Sequence, residues 1–520
     1  MAPRVIESDV CIIGSGISAA MVAEKLAEER TATIVVVEAG DESDRLNQRP
    51  ALRRRFLDYG ETPWRKDHLD GYEVAGIQSR SMQVGGLAMH WGGVTPRFSP
   101  EDFKVRSLYG VGNDWPLSYE ELDPWYQEAE VRLGVAGEQG PQELDPRGRP
   151  FPLAPIPLSY NLLRLREWTA QAGISMWSQP SAKNSVPYRG RPACCRNDTC
   201  TPVCPIGAKY SPDFTWEALR KAGRVQLLPR TVVRRLVRES SGERVSRAVA
   251  VARDGGAELE FRAKTFVVAC GYAWSSHLLL LSGLANRSGL VGKYLTGHRN
   301  VSGYVSLPLR LYPGMNGQHS LVSKQFMRVP RGERYLRHDL RVWESSVGKE
   351  PRLTDAQGKV LLGDELLADW RRRTATGTAR VRAYYDVIPD RESALSLDGS
   401  KRTPWGDPLP QLAFRDAPES AELRAWSEEQ IRALFARMAK AGGGEVISAR
   451  SDSFQDHPAG GCRMGDDPAT SVTDSWGRSH DHENLFVVGA PTCVSGGCAN
   501  GTLTFCALSL RSAAEIGRSL

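Results

Sequence analysis

The sequence lacks any long hydrophobic run. No apolar stretch reaches the length that a membrane-spanning helix needs. The first strand pattern begins within the opening residues, Met1 to Ser8, and leaves no room for a signal peptide. We therefore expect a cytoplasmic protein, or a periplasmic one only if a partner subunit carries it across a membrane already folded.

A strong excess of one charge is also missing. The formal net charge is only +6 over 520 residues, and the arginines are scattered along the sequence, so we predict no nucleic-acid partner. With 41% hydrophobic and 25% charged residues, the composition is that of a globular protein and not of a disordered one. The length predicts two or more domains.

The sequence also lacks internal repeats, low-complexity segments and a disulfide framework. Four of its ten cysteines, at positions 194, 195, 200 and 204, lie close together, and the others are scattered in apolar contexts. The spacing of Cys195, Cys200 and Cys204 suits thiolate ligands of a soft metal, either zinc or an iron–sulfur cluster. Cys194 and Cys195 are neighbours whose side chains diverge, so at most one of them is expected to bind. A loop of free thiols, or a disulfide, is the alternative.

A strand–loop–helix–strand pattern opens the sequence. The apolar run 9–13 leads into Gly14-Ser15-Gly16-Ile17-Ser18-Ala19, and a second apolar run ends at Glu38. Glycines let the backbone approach a pyrophosphate at a helix N-terminus, and an acid at this distance accepts hydrogen bonds from the ribose hydroxyls. We predict a dinucleotide site on Gly14, Ser15, Gly16, Ala19 and Glu38. Glu38 would repel a 2′-phosphate, which disfavours NADP; a tight turn without a ligand is the alternative.

Two polar residues late in the sequence suit the oxidation of an alcohol. His457 opens the run His-Pro-Ala-Gly-Gly-Cys-Arg-Met-Gly, and Asn500 precedes a helix predicted for residues 502–517. A neutral histidine can accept a hydroxyl proton near neutral pH, while an amide orients the same oxygen without competing for that proton. We predict that His457 and Asn500 form a catalytic pair. For His457 alone, a buried structural role is the alternative.

The remaining pattern predicts an α/β protein with a discontinuous nucleotide-binding domain. Strand patterns at 231–237 and 261–271 return to the first domain, while alternating segments between 300 and 416 indicate an antiparallel sheet. We predict three parts. Residues 1–100, 215–300 and 450–520 form the nucleotide-binding domain, residues 300–450 an inserted substrate domain of α+β type, and residues 101–214 a helical and loop insertion that carries the cysteine cluster.

Together these motifs resemble the glucose–methanol–choline (GMC) flavin oxidoreductases over nearly the whole sequence. The first unit, the run Gln83-Val84-Gly85-Gly86-Leu87-Ala88-Met89-His90-Trp91-Gly92-Gly93 and the blocks at His457 and Asn500 match signatures of that family. The resemblance implies a Rossmann-like FAD-binding domain and oxidation of a CH–OH group by hydride transfer to flavin N5, with His457 as base. The helix after Asn500 would place its positive end near the reduced flavin. The further FAD-binding residues that it implies are Gly85, Gly86, His90, Trp91, Val233, Gly489, Thr502 and Leu503.

Two runs are similar to sugar-oxidising members of the family. Residues 84–98 resemble pyranose oxidases, in which a histidine at the position of His90 can be tethered to the flavin. Residues 190–210 resemble bacterial FAD glucose dehydrogenases, in which cysteines hold a [3Fe–4S] cluster. The resemblance thus implies a sugar or glycoside substrate of aldopyranose type, FAD bound with or without a bond to His90, and a cluster on Cys195, Cys200 and Cys204. The sequence departs from these patterns at Met89, where tethered enzymes usually have Thr, and at Gly501, where the family commonly has Pro.

The electron acceptor stays open between oxygen, a quinone and a partner cytochrome, and with it the choice between an oxidase and a dehydrogenase. A second interpretation is the catalytic flavin and iron–sulfur subunit of a membrane-associated sugar dehydrogenase complex, of the gluconate or glycoside 3-dehydrogenase type, with a small partner subunit. A third, a flavoprotein without net redox chemistry, is disfavoured by the His457–Asn500 pair.

Overall fold

The computed structural model describes residues 3–29, 31–42, 45–61, 81–196, 199–255, 258–312, 319–345, 351–355, 357–415, 418–452 and 456–520. Within these ranges, no helix combines the length and the apolar character that crossing a membrane requires.

The described part of the chain contains strands and helices in mixed order. The strands are β1 (Arg4–Ile13), β2 (Ile34–Val37), β3 (Trp177–Ser178), β4 (Gln226–Leu228), β5 (Thr231–Arg238), β6 (Val245–Ala252), β7 (Glu258–Val268), β8 (Thr296–Leu307), β9 (Leu321–Ser323), β10 (Leu340–Ser345), β11 (Gly377–Asp386), β12 (Ala394–Arg402), β13 (Pro408–Ala413), β14 (Glu445–Ser451), β15 (Asp456–Ala459) and β16 (Leu485–Val487). The α-helices are α1 (Ile17–Glu29), α2 (Arg45–Tyr59), α3 (Val105–Tyr109), α4 (Tyr119–Leu133), α5 (Tyr160–Gln171), α6 (Pro212–Lys221), α7 (Gly271–Ser282), α8 (Gly363–Thr374), α9 (Pro418–Ala441) and α10 (Thr502–Ser519). Short 3₁₀ turns cover Gly86–Met89, Pro100–Phe103 and Ala490–Thr492.

The first sheet is built around parallel strands from distant parts of the sequence. Its order is β4-β2-β1-β7-β6-β5, and β16 also pairs with β7. Strands β4, β2, β1, β7 and β16 run parallel to their partners, whereas β5, β6 and the start of β7 are antiparallel. The second half of β1 and all of β2 are buried, as expected for a parallel sheet covered on both faces.

The second sheet is antiparallel, with the order β14-β8-β11-β10-β9-β3, and β15 pairs with the start of β8. Strands β12 and β13 form a separate hairpin. Helices α5 and α9 pack on this sheet and bury an apolar core that includes Trp168 and Phe435. The predicted fold class is therefore confirmed: a Rossmann-like part assembled from discontinuous segments accompanies an antiparallel sheet.

The domain boundaries themselves stay a prediction. Two short strands lie in the second sheet although the sequence analysis assigned their segments elsewhere, namely β3 in the insertion and β15 in the last nucleotide-binding segment. Both are two to four residues long, too short for an alternating pattern to show. The pairing of β15 with β8 brings His457 next to the second sheet.

Three helices, α1, α4 and α10, pack together near the site. Helix α10 packs against both α1 and α4. Their shared core contains Tyr126, Leu503 and Cys506, all 0% exposed. The first turn of α10 is therefore fixed by packing along the rest of the helix.

Candidate active site

The glycine loop after β1 has two glycines with different tasks. Gly14 has φ of 96°, and a Cβ there would lie 2.7 Å from the carbonyl oxygen of Ala269, at the end of β7. A side chain at Gly14 is therefore excluded by backbone conformation and by the neighbouring strand. At Gly16 a Cβ would meet nothing within 4 Å, so this position is open toward the space in front of helix α1.

Glu38 follows β2 and its carboxylate is bound to the glycine loop. Its Oε2 accepts hydrogen bonds from the backbone nitrogen of Ser15 at 3.0 Å and from its hydroxyl at 2.6 Å, while Oε1 accepts from the Gly40 nitrogen at 2.8 Å. Burial raises the pKa of Glu38, and these hydrogen bonds act against that rise. The carboxylate thus fixes the shape of the loop while one edge of it borders the cavity described below.

A second loop covers the first. Gly86 has φ of 56°, and a Cβ there would lie 3.2 Å from Cα of Gly16, so the two loops meet backbone to backbone. The Gly85 nitrogen donates to the Ser15 hydroxyl at 3.1 Å. Further along, the indole nitrogen of Trp91 donates to the carbonyl of Tyr210 at 2.8 Å, and Lys209 donates to the carbonyl of Trp91. These two hydrogen bonds therefore fix the position of the segment that carries His90 and Trp91.

A cavity of about 510 Å³ runs between these loops and the start of α10. The predicted site residues that border it are Gly14, Ser15, Gly16, Glu38, Gly86, His90, Trp91, Val233, His457, Asn500 and Thr502. It is enclosed by the dinucleotide loop at one end and by the His457–Asn500 pair at the other.

Four predicted FAD-binding residues do not border this cavity. The side chains of Ala19 and Leu503 are 0% exposed and lie in apolar cores, because neighbouring positions on a helix point in different directions. Gly85 contacts Ser15, and Gly489 has φ of 79° and lies against Ser18 of α1. These four residues pack against neighbouring elements, and their contact with FAD stays a prediction.

His457 and Asn500 meet at one end of the cavity. The Asn500 Nδ2 atom lies 2.6 Å from the His457 Nε2 atom. His457 has φ of 48°, a left-handed conformation that is uncommon for a residue other than glycine and that often marks functional sites. Thr502 begins helix α10 two residues after Asn500, so free backbone N–H groups point into the same region.

Gly501, where the family commonly has Pro, has φ of −73°, close to the value that proline fixes. A Cβ at this position would lie 2.6 Å from the ring of Phe505, which itself borders the cavity. A residue with a Cβ at position 501 would therefore clash with the aromatic ring of Phe505, one turn later in α10.

The sequence analysis missed His298. Its Nε2 atom lies 2.8 Å from Nδ1 of His457, and its side chain is 0% exposed. No motif surrounds it; only the pairing of β15 with β8, which sets Asp456 opposite His298, brings the two histidines together.

The turn between β12 and β13 was also missed. Its residues Thr403, Trp405 and Asp407 border the cavity beyond Val233. Arg234 on β5 holds this turn through two hydrogen bonds of 2.7 Å each to the carboxylate of Asp407. The hairpin thereby contributes a fixed part of the cavity wall.

The metal prediction for Cys195, Cys200 and Cys204 stays a prediction. Among the described residues, only Asp102, Asp386 and Cys498 group three such ligand atoms within 4.8 Å, and Arg337 already pairs with both of these acids. The three predicted thiols thus do not form a site for a single ion, and Cys195 is exposed. Burial raises the pKa of Cys194, and the nearby Cys200 and Cys204 raise it further.

Fold and site together define a class of protein. A Rossmann-like sheet ends in glycine loops that fit a dinucleotide, and the same cavity ends in a histidine–amide pair suited to alcohol oxidation. Both ends of the cavity fit FAD, since the open position at Gly16 and the start of α1 can receive its pyrophosphate. This is the arrangement of a flavin-dependent oxidoreductase.

Comparison with known proteins identifies the family. Two family models, both described as GMC oxidoreductase, match residues 182–300 and 389–509. The fructose dehydrogenase large subunit of Gluconobacter japonicus is 30% identical over 99% of both chains, and the paromamine 6′-oxidase of Streptomyces fradiae is 29% identical over 98% of this chain and 92% of the other. The crystal structure of pyridoxine 4-oxidase from Mesorbium loti superposes with a TM-score of 0.62, at 18% identity and with 98% of both chains covered. The chain belongs to the GMC oxidoreductases and is an FAD-dependent enzyme acting on CH–OH groups.

Proposed function

We propose that the protein oxidises a hydroxyl of a sugar or glycoside of aldopyranose type to a carbonyl. The observation that carries this proposal is the pair formed by His457 and Asn500, 2.6 Å apart, at the end of the cavity that fits FAD. The substrate class is supported by relatives that are named for fructose, paromamine and gluconate.

FAD, when bound in this cavity, would supply the acceptor for the hydride. In the resting arrangement Asn500 Nδ2 donates to His457 Nε2, so that nitrogen is unprotonated and its lone pair can accept a proton. A substrate hydroxyl placed there gives its proton to His457 Nε2, while Asn500 turns its hydrogen bond to the same oxygen. General-base catalysis and orientation are thus divided between two side chains.

The start of α10 acts on the same region. Thr502 borders the cavity and its backbone N–H belongs to the first turn of the helix. The positive end of a helix stabilises negative charge nearby, which favours the anionic reduced state of a flavin. We expect the backbone of Thr502 and Leu503 to serve this purpose, while the Leu503 side chain anchors the helix in the core.

The decisive experiment is anaerobic stopped-flow reduction of the flavin with aldopyranoses and glycosides. His457→Ala should slow flavin reduction by ~10²–10⁴-fold while FAD stays bound, as expected for loss of a general base. Asn500→Ala should slow it less, since it removes orientation but leaves the base. His480→Ala is the matched control, because His480 bonds to Ser471 in a turn away from the cavity. Wild-type rates for His457→Ala would refute the assignment.

Attachment of FAD to His90 is a finer proposal. His90 borders the cavity, between the second glycine loop and Trp91. A tethered flavin stays with the protein after acid precipitation and is released by His90→Ala. Complete release of FAD from the wild-type protein would show a non-covalent site.

An iron–sulfur cluster on Cys195, Cys200 and Cys204 is the other finer proposal. The cysteines of a cluster bind different iron atoms, so they need not converge on one point. Support comes from Lys209, a fully buried amine next to Cys200 and Cys204 whose pKa burial lowers to about 7, a surrounding that favours an anionic group. Anaerobically purified protein should contain iron and sulfide, and Cys200→Ser and Cys204→Ser should each lose them. Iron-free protein with full acceptor activity would count against the cluster.

A partner subunit is a further proposal. It is supported by the name of one relative, which describes a large subunit. The test is co-expression with a candidate small subunit, followed by gel filtration in which flavin absorbance reports the size of the flavoprotein. A single-chain species with full turnover on an artificial acceptor would count against a partner subunit.

A further inference from the structure

His298 is a buried histidine in direct contact with the proposed base. It lies near the start of β8, is 0% exposed, and has its Nε2 atom 2.8 Å from Nδ1 of His457. His457 in turn has Nε2 next to the Asn500 amide nitrogen at 2.6 Å. The three side chains therefore form one hydrogen-bonded row that ends in the cavity.

The ring of His298 is fixed by its neighbours. Tyr384 on β11 packs with its ring centroid 4.5 Å from that of His298 and 5.7 Å from that of His457. The backbone nitrogen of Tyr384 donates to Asp339 Oδ1 at 2.8 Å, and Arg341 lies 4.6 Å above the Tyr384 ring. Strand pairing and this aromatic contact leave the two imidazoles little freedom to turn.

The hydrogen bonds in the row determine where each proton lies. Asn500 Nδ2 is a donor, so His457 Nε2 must accept and cannot carry a proton. A neutral His457 then carries its proton on Nδ1, and this N–H donates to His298 Nε2. The reverse arrangement would set two N–H groups against each other at Asn500.

His298 is suited to stay the neutral acceptor in this row. Burial lowers its pKa well below the usual value, and the nearby His457 and Arg341 lower it further, while the backbone of Gly496 and Gly497 acts in the opposite direction. Tyr384 is a further titratable group in contact with both rings.

We propose that His298 is a positioning residue that holds His457 in the tautomer with its proton on Nδ1, so that Nε2 is the nitrogen that takes the substrate proton. This rests on the proposed function of His457. When the substrate O–H bond breaks, the proton goes to His457 Nε2 and the hydride of the adjacent C–H bond goes to the flavin. His457 is then an imidazolium whose Nδ1–H still donates to His298, which stabilises the charged form.

The first test uses two variants of His298 and one control. His298→Phe keeps an aromatic ring against Tyr384 but removes the acceptor, and His298→Gln keeps a side-chain amide that can accept. Hydrogen-bond partners that orient a histidine at metal sites typically contribute ~10–100-fold, and we expect His298→Phe to slow flavin reduction by that order. The rate at saturating substrate should fall, and the pH at which it drops to half should move lower. His298→Gln should restore most of both.

The control is His319→Phe. His319 is also buried, has its Nε2 atom 2.8 Å from the Ser178 hydroxyl, and does not border the cavity. It should leave the rate and the pH profile unchanged. A wild-type rate for His298→Phe, or equal losses in His298→Phe and His298→Gln without a change in pH profile, would overturn the proposal.

The second test does not depend on activity. Nitrogen-15 spectra of histidine-labelled wild-type protein report the protonated nitrogen of each ring, and the signals of His457 are those that His457→Gln lacks. We expect His457 with a proton on Nδ1 and a bare Nε2. The opposite tautomer would refute the role of His298 even if His457 is the base, whereas a fast His457→Ala enzyme with the expected tautomer would refute only the proposed function.

Discussion

The two glycines of the first loop should separate folding from cofactor binding. Gly14→Ala must place a side chain at φ of 96° and a Cβ at 2.7 Å from the backbone oxygen of Ala269, which directly follows β7. A left-handed conformation costs an alanine ~1–2 kcal/mol. Overpacking against backbone that cannot turn away adds ~1–3 kcal/mol. Gly16→Ala meets no atom within 4 Å, so its effect on the FAD-free protein should stay within ~0.5 kcal/mol.

The assay is thermal unfolding of both variants without FAD, followed by FAD titration. At ~2 °C per kcal/mol, the lower figure for domains of 150–250 residues, Gly14→Ala should lower the transition by roughly 4–10 °C. Gly16→Ala should keep the wild-type transition but bind FAD more weakly, because its methyl group enters the space in front of α1. Equal stability of the two FAD-free variants, or a large loss in Gly16→Ala, would refute this reasoning.

Three further predictions rest on single contacts. Asp407→Asn weakens the half-buried ion pair with Arg234 at the cavity, so FAD release should accelerate by up to ~5-fold, the effect of ~1 kcal/mol. Flavin fluorescence measures this release. The control is Asp254→Asn, which weakens an exposed pair with Arg230 and should leave the release rate unchanged. Gly501→Ala should lower the thermal transition because its Cβ meets the Phe505 ring, and Phe505→Leu in the same chain should recover the loss; a recovery that fails would remove this explanation. Burial lowers the pKa of His338 to about 4, so the unfolded chain takes up this proton first as the pH falls below the usual value of 6.5, and stability falls between pH 6.5 and 4. His338→Phe should flatten that part of the stability curve, and a wild-type slope would contradict it.

The sequence predicted those features that local pattern determines. The loop at Gly14 and the acid at Glu38 lie within one unit of about thirty residues, where strand, turn and helix signals support one another. His457 and Asn500 were found because each has a short motif around it. The parallel and antiparallel character of the two sheets followed from runs that are wholly apolar or alternate.

The missed features depend on long-range pairing. His298 acquires its position only because β15 pairs with β8, and no sequence signal sets that register. Asp407 reaches the cavity through the β12–β13 turn, which is fixed by Arg234 on a distant strand. At Ala19 and Leu503 a motif identified the helix that borders the cavity, but it could not identify which side chains of that helix face the cavity. Only the packing of the helix determines that.

The late position of β16 and α10 has a consequence for synthesis of the chain. When the ribosome has made β1 to β7, the nucleotide-binding sheet still has the second half of β7 uncovered on one side, because β16 pairs there. The same late segment contributes Asn500 and the helix that packs on α1. A nascent chain can therefore form neither a complete sheet nor a working site until the antiparallel part has been made. Premature termination before this segment would leave a flavin-binding half with an open strand edge, a target for aggregation or proteolysis and not a partly active enzyme.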